Sequence, residues 1–336
     1  MLTRRRFLQR TSLASAILVT PRFDLLAYED DLWAGASAIL SRIKVPEFPS
    51  RQFDVTAFGA KPDGVTDSSA AFRSAIDACR NAGGGRVVVP QGRFLTGAIR
   101  LRSNVNLHLS EGATIAFDTD ASKYLPLVLT RFEGTELMNY SPFIYALDER
   151  NVAITGKGTL DGQADEAYWW SWRAGQAPAR NRLIQMAVDG VAPDKRVFGD
   201  GPAKLRVNFI QPYRCTNVLI EDVTVLNSPM WEVNPVLCTN VTVRGLNIRS
   251  HGPNNDGCDP ESCRDVLIEK CTFDTGDDCI ALKSGRNEDG RRLHAPIENV
   301  IIRECEMRDG HGGVVIGSEI SGGARNIFAE KCRMDS

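Results

Sequence analysis

Five segments of the chain repeat one pattern: CTNVLIEDVTV from Cys215, CTNVTVRGLNI from Cys238, CRDVLIEKCTF from Cys263, IENVIIRECEM from Ile297 and ARNIFAEKCRM from Ala324. Each opens on Asn or Asp and continues as alternating apolar and polar residues. Aligned on Asn217, Asn240, Asp265, Asn299 and Asn326, the repeats are 23, 25, 34 and 27 residues apart. Periods in this range belong to solenoids, propellers or arrays. Alternation rich in β-branched residues argues for strands rather than helices. An irregular period around a fixed strand pattern fits a parallel β-helix, in which each coil gives short strands and insertions go into loops.

Weaker copies, SNVNLHLSEGATIAF from Ser103 and RNVAITGKGTLDG from Arg150, carry the repeat back to about residue 85, so it covers most of residues 85–336. The stretch Tyr168 to Gly201, rich in Trp, Arg, Pro and Gly, reads as a long loop. Upstream, a strand and a Pro-Asp-Gly turn precede a helix capped by Asp67 or Ser68, with Phe72, Ile76 and Cys79 on its apolar face and Gly83 to Gly85 at its end. The open end of a solenoid needs such a cap. The expected fold is therefore all-β, a parallel β-helix with an N-terminal capping helix.

Cysteines follow the repeat. Cys215, Cys238 and Cys263 share one register; Cys271, Cys305 and Cys332 share another. Stacked rungs present the same side chain repeatedly, so columns of small buried thiols are favoured over disulfides.

The first twenty residues, MLTRRRFLQRTSLASAILVT, read as an export signal: a basic segment, then an apolar run too short to span a bilayer. Thr3 to Leu8 resembles the twin-arginine signal of bacteria. The expected organisation is a signal over 1–27, a linker over 28–50 and the β-helix over 51–336. It places the mature protein in the periplasm or outside the cell, with no membrane contact after signal removal. A formal net charge of -2 gives no bulk attraction to nucleic acid.

Residues at one register on successive rungs lie about 4.8 Å apart. Asp277 stands 12 residues after Asp265, and His311 stands 12 after Asn299, so the two should be neighbours. Asp278 follows directly. Asp256, 16 residues after Asn240, joins them if a loop of about three residues is inserted before it. Three clustered carboxylates cannot all stay ionised, which supplies an acid beside bases. The same spacing also allows a divalent cation or a set of solvated turns.

At these residues the chain resembles the polygalacturonase family, family 28 of the glycoside hydrolases. Asn254-Asn255-Asp256, Gly276-Asp277-Asp278 and Gly310-His311-Gly312 match three family motifs in order, with SPMWEVNP and IALKSG around them. The resemblance spans roughly residues 51–336 and implies a right-handed parallel β-helix. It implies hydrolysis of α-1,4 bonds between galacturonate units with inversion. Asp277 would be the general acid, Asp256 and Asp278 would activate water, and His311 would tune the acid or bind substrate. No metal or cofactor is implied. The partner is an acidic plant polysaccharide such as pectin or its galacturonan oligomers, met as a monomer.

Asn254, Lys283 and Arg286 are the expected substrate contacts, the cations holding uronate carboxylates. The family's Arg-x-Lys, due on the turn after Gly-His-Gly, is not reached before Ser336, so the expectation is a truncated copy of a longer enzyme. Arg42-Ile43-Lys44 precedes the capping segment and is read as a coincidence. The insertion SGRNEDGRRLHAP, a loop beside the cleft, favours exo action. Competing readings are a hydrolase of rhamnogalacturonan or another uronide, a calcium-dependent lyase, and a β-helix that binds glycan without turnover.

Overall fold

The structure, a computed structural model, describes residues 25–199 and 202–335, with side chains from residue 33. It is the expected right-handed parallel β-helix with its N-terminal capping helix. Among the described residues, nine strands stack into a first sheet, from Gln52–Asp54 to Ala324–Glu330. Nine more stack into a second, from Asp63–Asp67 to Arg333–Asp335. A third face holds Ile99–Arg100, Ile144–Leu147 and Ile210–Tyr213, and continues through single bridges at Val233, Cys258 and Glu261 to Ile280–Leu282 and Val314–Ile316.

The repeated Asn or Asp has a structural cause. Asn104, Asn151, Asn217, Asn240, Asp265, Asn299 and Asn326 all have φ between 51° and 63°. This left-handed conformation turns the chain into the first sheet, and Asn and Asp tolerate it better than other L-residues do. Their side chains also form a ladder along the coil axis. Asn240 Nδ2 donates to Asn217 Oδ1 at 2.7 Å, and Asn326 Nδ2 donates to Asn299 Oδ1 at 2.9 Å. After each corner the strand alternates: Val218, Val241, Val266 and Val300 stack inward in register and are buried.

Outward-facing Leu267 and Ile301 would be exposed on a bare coil. They are covered by Ala36 and Ile39 of the helix Leu25–Arg42. The segment expected as a linker over 28–50 thus contains part of a helix, and its following residues are tied to the ladder. Arg42 Nη2 reaches Asp265 Oδ1 at 2.8 Å, and Lys44 N donates to Asn240 Oδ1 at 3.0 Å. The RIK stretch belongs to this outer strap, not to the acids. The expected export signal lies almost wholly outside the described residues. No helix among those described is long and apolar enough to cross a membrane.

The capping helix runs Ser69–Asn81 and buries Phe72, Ile76 and Cys79. Of the two expected caps, Asp67 supplies the bond: its Oδ1 accepts from Ser69 N at 2.9 Å, while Ser68 makes no side-chain cap bond. All nine cysteines are free, and the registers stack as expected: Cys215 N lies 3.4 Å from Cys238 Sγ, and Cys238 N lies 3.4 Å from Cys263 Sγ.

Two expectations for loops are corrected. Tyr168 to Gly201 carries helices at Trp172–Gly175 and Ala177–Val188, because the run APARNRLIQMAV has high helix propensity and buries Ala179, Leu183 and Ala187. The insertion after Arg286 is also helical, at Asn287–Leu293, and its Asp289 is buried against Arg196 at 2.7 Å. An antiparallel hairpin, Val128–Phe132 with Thr135–Asn139, leaves the coil and brings its tip residues Glu133 and Gly134 to Arg286.

Candidate active site

Three consecutive turns between the second sheet and the third face carry the expected acids. Pairing of Asp274 with Arg308 puts Asp277 and His311, each three residues further, on neighbouring rungs. His311 Nδ1 lies 3.2 Å from Asp277 Oδ1, and His311 N donates to Asp277 O at 3.1 Å. Carboxylate oxygens of Asp256, Asp277 and Asp278 lie within 4.8 Å of one another. The longer turn before Asp256 is folded in by Asn255. That side chain is fully buried: Oδ1 accepts from Ser250 Oγ and Gly252 N at 2.6 and 2.7 Å, and Nδ2 donates to Ser228 O and Met230 O at 3.1 and 3.0 Å. The middle Asn of the motif is thus a clamp, while Asn254 Nδ2 faces Asp277 Oδ2 at 3.5 Å. At Gly276 a Cβ would stand 2.8 Å from Gly252 O on the rung before, so only glycine lets the two turns close together.

These residues open on a cleft of about 700 Å³. A larger groove, about 930 Å³, runs under Pro46–Ser50 along the first sheet and contains none of the three acids. His311 is the exposed edge of the cluster, with 74% of its side chain accessible, against 24% for Asp277. Asp256 is buried, and burial, with Asp277 and Asp278 adding repulsion, pushes its carboxyl up to about 7 against the pull of Lys283. Burial and the neighbouring Asp277 also raise Asp278.

Lys283 differs from its expected role. It is 3% exposed, and its ammonium lies 3.6 Å from Asp256, 3.5 Å from Asp259 and 3.2 Å from Glu319. Its Nζ also stands 4.5 Å from the Trp231 ring centroid. A charge already facing three carboxylates is compensated within the protein, so Lys283 is an internal counter-ion beneath the acids rather than an open grip for a ligand. Arg286 lines the cleft but pairs with Glu133 at 3.0 Å and with Glu319. The acids are numerous enough to attract a divalent cation, and Lys283 supplies one positive charge at the buried end of the cluster.

Several site residues have no signal in the repeat. Asp259 and Glu232 are fully buried carboxyls near Asp256, both raised well above the usual range by burial and by that neighbour. Glu232 lies in SPMWEVNP, singled out only as a familiar run. Arg173, Gln176 and Arg180 line the cleft from the unexpected helices, and Glu133 from the hairpin. Alternation patterns carry no trace of them because they belong to excursions from the coil.

A carboxylate cluster on the turns of a parallel β-helix is an arrangement capable of acid–base chemistry. The model for glycosyl hydrolases family 28 matches residues 194–335, which hold all three acids and His311. A second model, Rhamnogalacturonase A/epimerase, pectate lyase-like, matches residues 52–112, the capping end. A solved structure, a hyperthermoactive exopolygalacturonase from Thermotoga maritima, is 49% identical with a TM-score of 0.87, over 89% of this chain and 70% of that one. A family 28 exopolygalacturonase from Yersinia enterocolitica is 26% identical with a TM-score of 0.68, over 84% and 54%. Among curated relatives, a probable polygalacturonase of Vitis vinifera is 30% identical over 81% of this chain and 52% of its own length. An exo-poly-alpha-D-galacturonosidase of Dickeya chrysanthemi is 27% identical over 82% and 49%. The chain belongs to glycosyl hydrolase family 28. It spans about half the length of these curated relatives.

Proposed function

We propose that the protein hydrolyses α-1,4-galacturonosyl bonds of polygalacturonate, removing units from a chain end. The observation that carries the reading is the gathering of Asp256, Asp277 and Asp278 within 4.8 Å at an open cleft, with His311 on Asp277. The exopolygalacturonases named above support the substrate and the exo mode. So does the wall that the helix Ala177–Val188 and Arg286 add to the cleft. Periplasmic or secreted location is part of the same proposal, since the polymer is extracellular and the sequence opens on a twin-arginine-like segment.

In this reading the cluster keeps a proton near neutrality on Asp256, whose carboxyl is pushed up to about 7. Asp277, with His311 beside it, donates a proton to the leaving glycosidic oxygen. Asp278, less buried than Asp256 and a stronger base than an ordinary carboxylate, takes the proton of the attacking water. Asp256 stays protonated up to about neutral pH and orients the water rather than acting as a free base. The acids stand closer than the roughly 6.5–9.5 Å of an ordinary inverting pair, so inversion requires water to sit against the cluster rather than between separated acids. Proton NMR of the first-formed anomer tests this: a β-anomer from the α-linked polymer supports inversion, and a retained α-anomer refutes it.

A further inference from the structure

The cleft has a cationic wall that reaches beyond the expected Lys283 and Arg286. Lys283, Arg286 and Arg180 line it, and each has a carboxylate close by: Glu319 at 3.2 Å, Glu133 at 3.0 Å and Glu133 at 2.6 Å. Arg173 also lines it, is exposed, and has no carboxylate partner within 4 Å among the described residues. Behind it lies Arg206, 1% exposed. All the hydrogen bonds of Arg206 go to neutral acceptors: Pro229 O at 3.2 Å, Pro253 O, Asn254 Oδ1 at 2.6 Å and Gln176 Oε1 at 3.5 Å. Its Nε has no partner. Burial and the like charge of Arg173 pull its pKa down to about 10, and the more distant charges of Glu133 and Asp256 only partly offset them.

The wall is held rigidly. Trp169 and Trp172 pack in a tilted pair at 4.9 Å between ring centroids, Trp172 also packs on Tyr140, and Trp170 Nε1 donates to Ser228 O at 2.8 Å. Arg173 therefore projects from an anchored turn, and little further ordering is needed when it meets a ligand. Two neighbouring positive charges with no carboxylate in ion-pair contact among the described residues, one of them buried, are unfavourable in the free protein. An anion arriving in the cleft relieves that, whereas a neutral sugar does not.

We propose that Arg173, backed by Arg206 and Gln176, forms a subsite for the carboxylate of one uronate unit. The subsite rests on the polygalacturonate reading above and adds the residue that distinguishes acidic from neutral sugar. Arg173 makes the contact. Arg206 contributes charge from behind and holds Asn254, so it is a positioning residue.

Calorimetric titration of trigalacturonate into Asp277→Asn protein, with and without Arg173→Gln, tests the proposal. Loss of one charge-assisted contact should weaken trigalacturonate binding about tenfold or more. Binding of the carboxyl-reduced, neutral trimer should not change, and Arg173→Lys should recover part of the loss. In protein with Asp277 intact, Arg173→Gln should raise KM with kcat nearly preserved. Arg291→Gln, which removes one charge at an exposed site paired with Glu288, should leave both values unchanged. Equal loss for acidic and neutral trimers, or unchanged affinity for both, overturns the subsite. Failure of the unsubstituted protein to cleave polygalacturonate, with Arg173-dependent trimer binding intact, would remove the function and keep the subsite. Cleavage indifferent to Arg173 would do the reverse.

Discussion

At the residue scale, the site depends on how Asp256 and Lys283 share charge. Asp256 takes up its proton near pH 7 instead of near 3.8, so between those values the folded protein binds more protons than the unfolded chain. Its contribution to stability therefore falls as pH rises from about 4 to 7. Asp256→Asn should remove that slope: denaturation midpoints at pH 5 and pH 8 should differ less in the variant than in the parent, and an equal or larger difference would contradict it. In the proposed hydrolysis, loss of that proton should give the pH–rate profile an alkaline limb near pH 7. Removing Lys283 leaves Asp256, Asp259 and Glu319 without their common cation. Lys283→Met should cost about 3–5 kcal/mol in chemical denaturation, the usual penalty for breaking a buried pair. It should also move the alkaline limb upward in a pH–rate profile. Of the residues involved, Asp277 and His311 were legible from rung counting alone. Lys283 was visible as a residue but not in its role, because sequence does not show that three carboxylates already face it.

At the element scale, the repeated Asn does two jobs, setting a left-handed corner and bonding along the ladder. Asn240 bonds Asn217 and both backbone groups of Lys44, which ties the outer strap to the coil. Asn240→Ala should destabilise the fold by about 1–3 kcal/mol, from the lost bonds and the strained corner. Asn240→Gly should be less damaging, since it keeps the corner accessible. Equal losses in urea denaturation would show that the corner conformation contributes nothing. The coil itself was readable because its corners and alternation recur every rung. The helix Ala177–Val188 was not, because Trp, Pro and Gly around it mask a short helical run whose apolar residues join a satellite cluster with Phe132 and Leu137 of the hairpin and Met230 and Trp231. The cleft's cationic wall was hidden for the same reason, since its residues sit on those excursions.

At the scale of the whole molecule, columns of apolar side chains and thiols hold the stack without covalent links. Nine free cysteines, eight of them buried, predict that a reducing agent leaves the melting temperature unchanged and that thiol reagents react fully only after unfolding. A large drop in melting temperature on reduction would show that disulfides had formed. The proposed function rests on three turns that the stack holds in register. Asp277→Asn changes one atom of that arrangement and should lower turnover by about 10²–10⁴-fold, the usual scale for a general acid, with circular dichroism and melting unchanged. The most direct test is to incubate the purified protein with polygalacturonate and follow products by chromatography and NMR. Saturated galacturonate released from chain ends, and lost in Asp277→Asn, is the predicted result. Unsaturated products, or release that persists in Asp277→Asn, would contradict the account.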